Sequence, residues 1–172
     1  MPESDNKLVF EVLIKATVDE VWHELVKTDE PQKQFFNTVL HTDGLKVGAK
    51  MRMRTINGKY TGVVGDVLEF DPPKRYVTTF KFTNFDDPEC RVCHDLFEEP
   101  GGQVRYRMTV EDLPVGTKTA KQMAQGGKLI VNTLKSVCET GKPSFGTRML
   151  FVLFRAMEPF SPKSTRSENW PI

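Results

Sequence analysis

His94 is the residue in this chain most suggestive of chemistry. On the stretch Arg91–Glu98 the even positions hold Val92, His94 and Leu96, and the odd positions hold Arg91, Cys93, Asp95 and Phe97. A period of two marks a strand, so His94 shares a face with two apolar neighbours. A polar ring in an apolar wall needs a partner. It is either a satisfied structural histidine or a hydrogen-bonding or acid/base group inside a ligand cavity. Asp66 and Glu69 are the carboxylates that an enzyme reading would pair with it. His23 sits beside Trp22 on a helix, where a surface or cap role fits. His41 lies in a polar stretch before Gly44. No nucleophile elbow or triad is recognisable, so no residue is assigned as catalytic.

The cysteines do not make a metal site. Cys90 and Cys93 have the Cys-x-x-Cys spacing, but no second pair follows. On a strand an offset of three sends the two side chains to opposite faces, so they cannot grip one ion. Cys138, near the end of a helix, reads as a small packing residue. The expectation is no metal and no cofactor. Three cysteines in 172 residues also argue against a disulfide framework and for a reducing, cytoplasmic home.

The elements that must position these residues are legible. Leu8, Phe10, Val12, Ile14 and Ala16 alternate along Lys7–Ala16. Thr17-Val18-Asp19-Glu20 then reads as a capping box opening a helix that carries Val21, Trp22, Leu25 and Val26. A second short helix is expected from near Pro31 to Phe36. Strands follow at Lys50–Thr55, Tyr60–Phe70, Arg75–Phe82, Arg91–Glu98 and Gln103–Glu111. Asn57-Gly58 and Pro100-Gly101-Gly102 read as hairpin turns. Gly62 and Gly65 suggest a bulge or bend. Short connections favour an antiparallel meander. A long helix capped by Thr117 or Thr119 carries Ala120, Met123, Gly127, Ile130, Leu134 and Val137 on one face. It stops at Thr140-Gly141-Lys142-Pro143. Gly126 and Gly127 inside it point either to close packing or to room left for a ligand.

Composition narrows the partners. Lys+Arg is 24 and Asp+Glu is 23, a net charge of +1 that gives no reason to expect nucleic acid or an anionic membrane as the main partner. Arg52 and Arg54 alternate with Met51 and Met53, and Arg105 and Arg107 alternate with Tyr106 and Met108. These patterns read as the solvent face of a two-sided sheet. Met1–Asp5 lacks the basic and apolar regions of a signal peptide. The longest apolar run, Met149–Phe154, falls far short of the ~18 residues of a membrane span. Phe numbers 12, against five for Trp and Tyr together, and four of the 12 lie after residue 143. Ser144–Ile172 therefore stands apart as an extension. Its short helix, from about Gly146 to Glu158, is apolar almost all round, which implies burial on more than one side. It either packs on the domain or builds a homodimer interface through 145–158.

Strand, two short helices, meander and long helix together describe an α+β helix-grip fold. Ala16-Thr17-Val18-Asp19-Glu20-Val21-Trp22 resembles the opening motif of the SRPBCC superfamily, also called START-like or birch-pollen-allergen-like. Gly65-Asp66-Val67-Leu68-Glu69 with Asp71-Pro72-Pro73-Lys74-Arg75 resembles the strand and turn that follow. Gly126–Gly141, with Ile130-Val131-Asn132, Leu134-Lys135 and Glu139-Thr140-Gly141, is similar to the terminal helix of one branch. That branch is named after the C-terminal domain of the activator of the ninety-kilodalton heat-shock-protein ATPase. The resemblance covers roughly residues 7–143 and implies a helix-grip domain over 1–143 with an extension over 144–172.

Relatives of this architecture bind apolar small molecules between sheet and helix, some catalyse cyclisation there, and one branch acts on a chaperone. The resemblance therefore implies an apolar or aromatic small-molecule site. The expected lining is Phe36, Tyr60, Phe80, His94, Tyr106, Met108, Met123, Gly127 and Ile130. The same periodicity would equally describe a packed core. The alternatives are a chaperone-interacting module and a cyclase-like enzyme. Gly127 departs from the branch, which often has an aromatic residue in the terminal helix, so a wall of the cavity is expected to be missing there.

Overall fold

The computed structural model describes residues 6–172. Met1–Asp5, the stretch without signal-peptide features, lies outside the described residues. β1 (Leu8–Ile14) leads through Ala16 into α1 (Val18–Val26). The capping box forms as expected. Thr17 Oγ1 accepts from Glu20 N at 3.2 Å, and Glu20 Oε2 accepts from Thr17 N at 2.8 Å. Two otherwise orphaned helix donors are satisfied. A Thr17→Ala variant is expected to lose about 1 kcal/mol of stability in urea unfolding.

Seven strands form one antiparallel sheet in the order β1-β7-β6-β5-β4-β3-β2. These are β2 (Val39–Thr42), β3 (Lys50–Arg54), β4 (Thr61–Asp71), β5 (Arg75–Phe82), β6 (Cys90–Glu99) and β7 (Gln103–Glu111). The meander runs from β2 to β7, and β1 closes beside β7, with Phe10 opposite Met108. Register shifts fall at Met53/Arg54 and at Val67/Glu69, in and against the glycine-bearing strand. At Gly65 a Cβ would overlap the Thr79 carbonyl of β5, so the glycine lets two backbones approach.

The sheet grips α2 (Lys118–Thr140). Thr117 is its cap, accepting from Ala120 N. Thr119 instead donates its Oγ1 and its N–H to Asp87 Oδ2, both at 2.9 Å, tying the β5–β6 loop to the helix start. Gly141 ends the helix in the left-handed region at φ +80°, where glycine carries no Cβ penalty. At this end Lys135 Nζ donates to Leu13 O at 2.6 Å, and Glu139 Oε1 accepts from Lys15 N at 2.8 Å. The core between sheet and helix contains Ile14, Trp22, Leu25, Tyr76, Tyr106, Met108, Val110, Met123, Ile130 and Leu134. Trp22 packs on Phe70 with ring centroids 5.5 Å apart. This is the α+β helix-grip architecture.

The polar stretch that holds His41 forms β2, with His41 opposite Arg52 and its Nδ1 accepting from Arg54 Nη1 at 3.1 Å. The second short helix is corrected. Only a single 3-10 turn, Lys33–Phe35, forms where a helix from Pro31 to Phe36 is expected, because Phe36 and Asn37 both take left-handed backbone, at φ +56° and +62°. Buried Gln32 and Gln34 hold this turn to α1. Their Nε2 groups donate to Lys27 O at 3.0 Å and to Glu24 O at 2.6 Å.

The outer face of the sheet is only partly a solvent face. Arg105 and Arg107 lie over Phe97 and pair with Glu99 and Glu11. Arg54 is instead covered by the C-terminal segment.

That segment holds α3 (Phe145–Met157), then 3-10 turns at Glu158–Phe160, Lys163–Thr165 and Ser167–Asn169. Its end is pinned to the domain. Arg54 Nη2 donates to Trp170 O at 2.8 Å, Ser167 N donates to Lys59 O at 3.0 Å, and Thr61 Oγ1 meets Ser167 Oγ at 2.9 Å. The helix itself is not buried on several sides. Thr147 is buried and Leu150 and Phe151 are half-buried, while Phe145, Met149, Val152, Leu153 and Met157 are exposed.

Candidate ligand site

His94 does sit on the inner face of β6, buried and close to the other rings. Its Nδ1 shares a hydrogen bond of 2.6 Å with the Tyr106 hydroxyl, and its ring stacks between Tyr76 and Tyr106, with centroids 5.7 and 6.0 Å away. Phe35 meets it edge-on at 5.7 Å. Burial drives the pKa of His94 down to about 4. Burial also raises the Tyr106 and Tyr76 phenols. The pair is therefore neutral near pH 7. Nε2 of His94 makes no hydrogen bond among the described residues.

Of the expected lining, Tyr106, Met108, Met123 and Ile130 come together, but as packed core. His94 and Phe80 line a cavity with Leu25, Gln32, Phe35, Leu40, Tyr76 and Val92, yet its volume is only about 40 Å³. That admits one or two waters, not a ligand. Tyr106, Met108, Met123 and Ile130 thus serve as core side chains here. Gly127 explains part of this. A Cβ there would overlap the Phe10 ring, so β1 supplies the aromatic wall that the helix lacks. The glycine serves close packing rather than an open space.

Tyr60 is not with the others. It precedes β4 and its backbone bridges to Arg166 of the C-terminal segment. The enzyme pairing is likewise not assembled. Glu69 is exposed and bonded to Arg75, Asp66 is exposed, and His94 has Tyr106 as its partner. Cys90 and Cys93 do fall on opposite faces of β6, Cys90 in the core cluster and Cys93 outside it. Burial raises both thiols, Cys90 to about 11, which leaves them unreactive.

A much larger space lies on the far side of the 3-10 turn. A groove of about 460 Å³ opens between the Phe36–Thr38 turn, the β3–β4 hairpin tip, Asn84 and α3. Phe36, Ile56, Phe151, Phe154, Met157 and Phe160 supply its apolar wall, Asn37, Thr38, Thr55, Asn84 and Ser161 supply neutral polar groups, and Arg155 and Glu158 supply charges. Phe36 ties it to both neighbours. Its ring meets Phe154 edge-on at 5.8 Å. Its Cζ lies at ordinary contact distance, 3.9 Å, from where a Gly126 Cβ would stand. Phe36 alone of these belongs to the expected lining. The others escape a reading that treats α3 only as a surface to bury, although the apolar spacing of 3 and 4 along α3 is visible in the sequence.

A family model described as Activator of Hsp90 ATPase homolog 1-like protein matches residues 15–139. The chain belongs to this family. No curated protein matches it. Solved structures share the fold of this family member at low identity. The crystal structure of CalU16 from Micromonospora echinospora is 21% identical, covers 88% of this chain and 84% of its own, and has a TM-score of 0.60. PFC0360w, an HSP90 activator from Plasmodium falciparum, is 12% identical over 80% of this chain and 97% of its own, at 0.63. The Aha1 dimer from Colwellia psychrerythraea is 18% identical over 79% and 98%, also at 0.63. The family match ends before α3, so the groove is built half from the family domain and half from the segment that follows it.

Proposed function

We propose that this member of the family binds an apolar or aromatic small molecule in the groove between the β3–β4 hairpin tip, the Phe36 turn and α3. The family and its structural neighbours support a ligand-binding or chaperone-related module. The observation that favours ligand binding is the groove itself. Its volume falls within the roughly 300–1,000 Å³ of small-molecule sites, and its apolar walls carry a few polar groups, the usual pattern. The turn that separates it from the His94 cavity holds two consecutive non-glycine residues in left-handed backbone. Such strain concentrates at ligand-handling segments.

The test is a fluorescence titration with 1-anilinonaphthalene-8-sulfonate as the probe. Saturable one-to-one binding is expected, weakened about tenfold or more in a Phe36→Ala, Phe154→Ala double variant whose circular dichroism matches the parent. Absent or unsaturable binding, or binding unchanged in the variant, would overturn the reading.

The family match and the Plasmodium HSP90 activator favour a second reading, contact with a chaperone. It predicts that the chain changes the ATPase rate of purified Hsp90. An unchanged rate removes it.

A further inference from the structure

We propose that α3 docks on an anionic lipid surface through its outer face, lying in the bilayer interface rather than crossing it. The face opposite Thr147 and Phe151 carries Phe145, Met149, Val152 and Ala156, at spacings of 4, 3 and 4, flanked by Leu153. One stripe of the helix surface is thus apolar. It is open to solvent, with Phe145 71% and Val152 62% exposed. Phe160, 84% exposed, extends the apolar surface just beyond the helix. An unpartnered apolar face of this kind marks an interaction surface.

Charge selects the occupant. Between Glu139 and Glu158 the chain has Lys142, Arg148 and Arg155 and no acidic residue. All three are exposed. Neither arginine forms a salt bridge among the described residues. A helix with an apolar stripe and a basic flank matches the interfacial class, apolar face in the acyl boundary and cations among the headgroups. The net charge of +1 for the whole chain conceals this clustering, because acidic residues elsewhere cancel it.

A second copy fits less well. Pairing two such faces would bring four arginines to one seam with no acid from either helix. The face is also about 20 Å long and about 10 Å wide, small against the about 800 Å² per partner of a standard interface. The helix is moreover held in place. Ser144 caps its start, and the Arg54–Trp170 and Thr61–Ser167 contacts anchor the chain beyond its end. The apolar stripe is therefore displayed rather than loosely attached.

The proposal does not rest on the small-molecule reading, since the stripe of Phe145, Met149, Val152 and Leu153 lies outside the groove, although Arg155 and Phe160 border both surfaces. The test is co-sedimentation of the full chain with phosphatidylcholine vesicles, pure or containing about one-third phosphatidylserine. Binding to the anionic vesicles is expected, weakened by added salt. An Arg148→Gln, Arg155→Gln double variant should bind about thirtyfold more weakly, about fivefold for each lost cation. Met149→Gln with Leu153→Gln should abolish binding while leaving the 1-anilinonaphthalene-8-sulfonate titration unchanged. No sedimentation with either vesicle would overturn the proposal, as would binding that ignores lipid charge and both variants. Absence of vesicle binding with a dimer in sedimentation velocity, lost in Met149→Gln with Leu153→Gln, would overturn it in favour of a seam between two copies.

Discussion

Replacing Gly127 with leucine should destabilise the protein by about 2–3 kcal/mol, even though a mid-helix glycine normally costs about 1 kcal/mol relative to alanine. The reason is the Phe10 ring. A Cβ at position 127 would overlap three of its atoms, so the whole ring would have to move, not one flexible end. Gly126, one residue earlier, gives the control. Its added Cβ would meet only Phe36 Cζ at 3.9 Å, so Gly126→Ala should stabilise by roughly 0.5–1 kcal/mol. Truncating Phe10 to alanine would open the space that a side chain at 127 needs. The Phe10→Ala, Gly127→Leu double variant should therefore be at least about 1 kcal/mol more stable than the sum of the two single changes implies. Urea unfolding midpoints at constant slope measure the four variants against the parent. Equal penalties at 126 and 127, or strict additivity with Phe10, would show that the helix and β1 do not touch as described.

Stability should also fall steeply between about pH 6.5 and pH 4, with His94 as a main cause. Its pKa is lowered to about 4 by burial, against 6.5 for an ordinary imidazole. Within that window the unfolded chain binds a proton that the folded chain does not. Stability therefore rises with pH across the window and is fully present above it. The difference of about 2.5 pKa units corresponds to about 3 kcal/mol. A His94→Leu variant should lose stability at pH 7, through the unpartnered Tyr106 hydroxyl, by about 1–3 kcal/mol. It should, however, show a flatter dependence on pH over the window. Tyr106→Phe is the complementary change. It leaves His94 Nδ1 without its 2.6 Å partner and should also cost about 1–3 kcal/mol. A pH profile of unchanged steepness in His94→Leu would mean that other groups carry the acid sensitivity.

Local sequence signals report the fold well. Alternation places the strands around His94 and Tyr106, the Thr17–Glu20 box places the start of α1, and Gly141 with Pro143 places the end of α2. What escapes is set by contacts between distant residues. Gly127 and Phe10 are far apart in sequence, and nothing near either one says that a ring from β1 fills the gap in α2. Tyr60 continues the alternation of its strand, but the strand begins one residue later and its backbone turns to meet Arg166. The short β2, Val-Leu-His-Thr, has too few residues to show a period. Core and cavity have the same spacing of apolar residues, so periodicity cannot say that Met108, Met123 and Ile130 are packed. The groove is invisible for a related reason. It is shared by a hairpin tip, a strained turn and a helix that follow no common pattern, and only the folded chain brings Ile56, Phe36 and Phe154 to one place.

A small molecule held in the groove beneath α3 is the central claim. Native mass spectrometry of the freshly purified full chain reads it directly, whatever the identity of the ligand. The expected result is a population carrying one small-molecule adduct of defined mass, released on unfolding and lost in the Phe36→Ala, Phe154→Ala variant. An adduct retained by that variant, or a wild-type chain that flies bare and also fails to bind 1-anilinonaphthalene-8-sulfonate one-to-one, would contradict it.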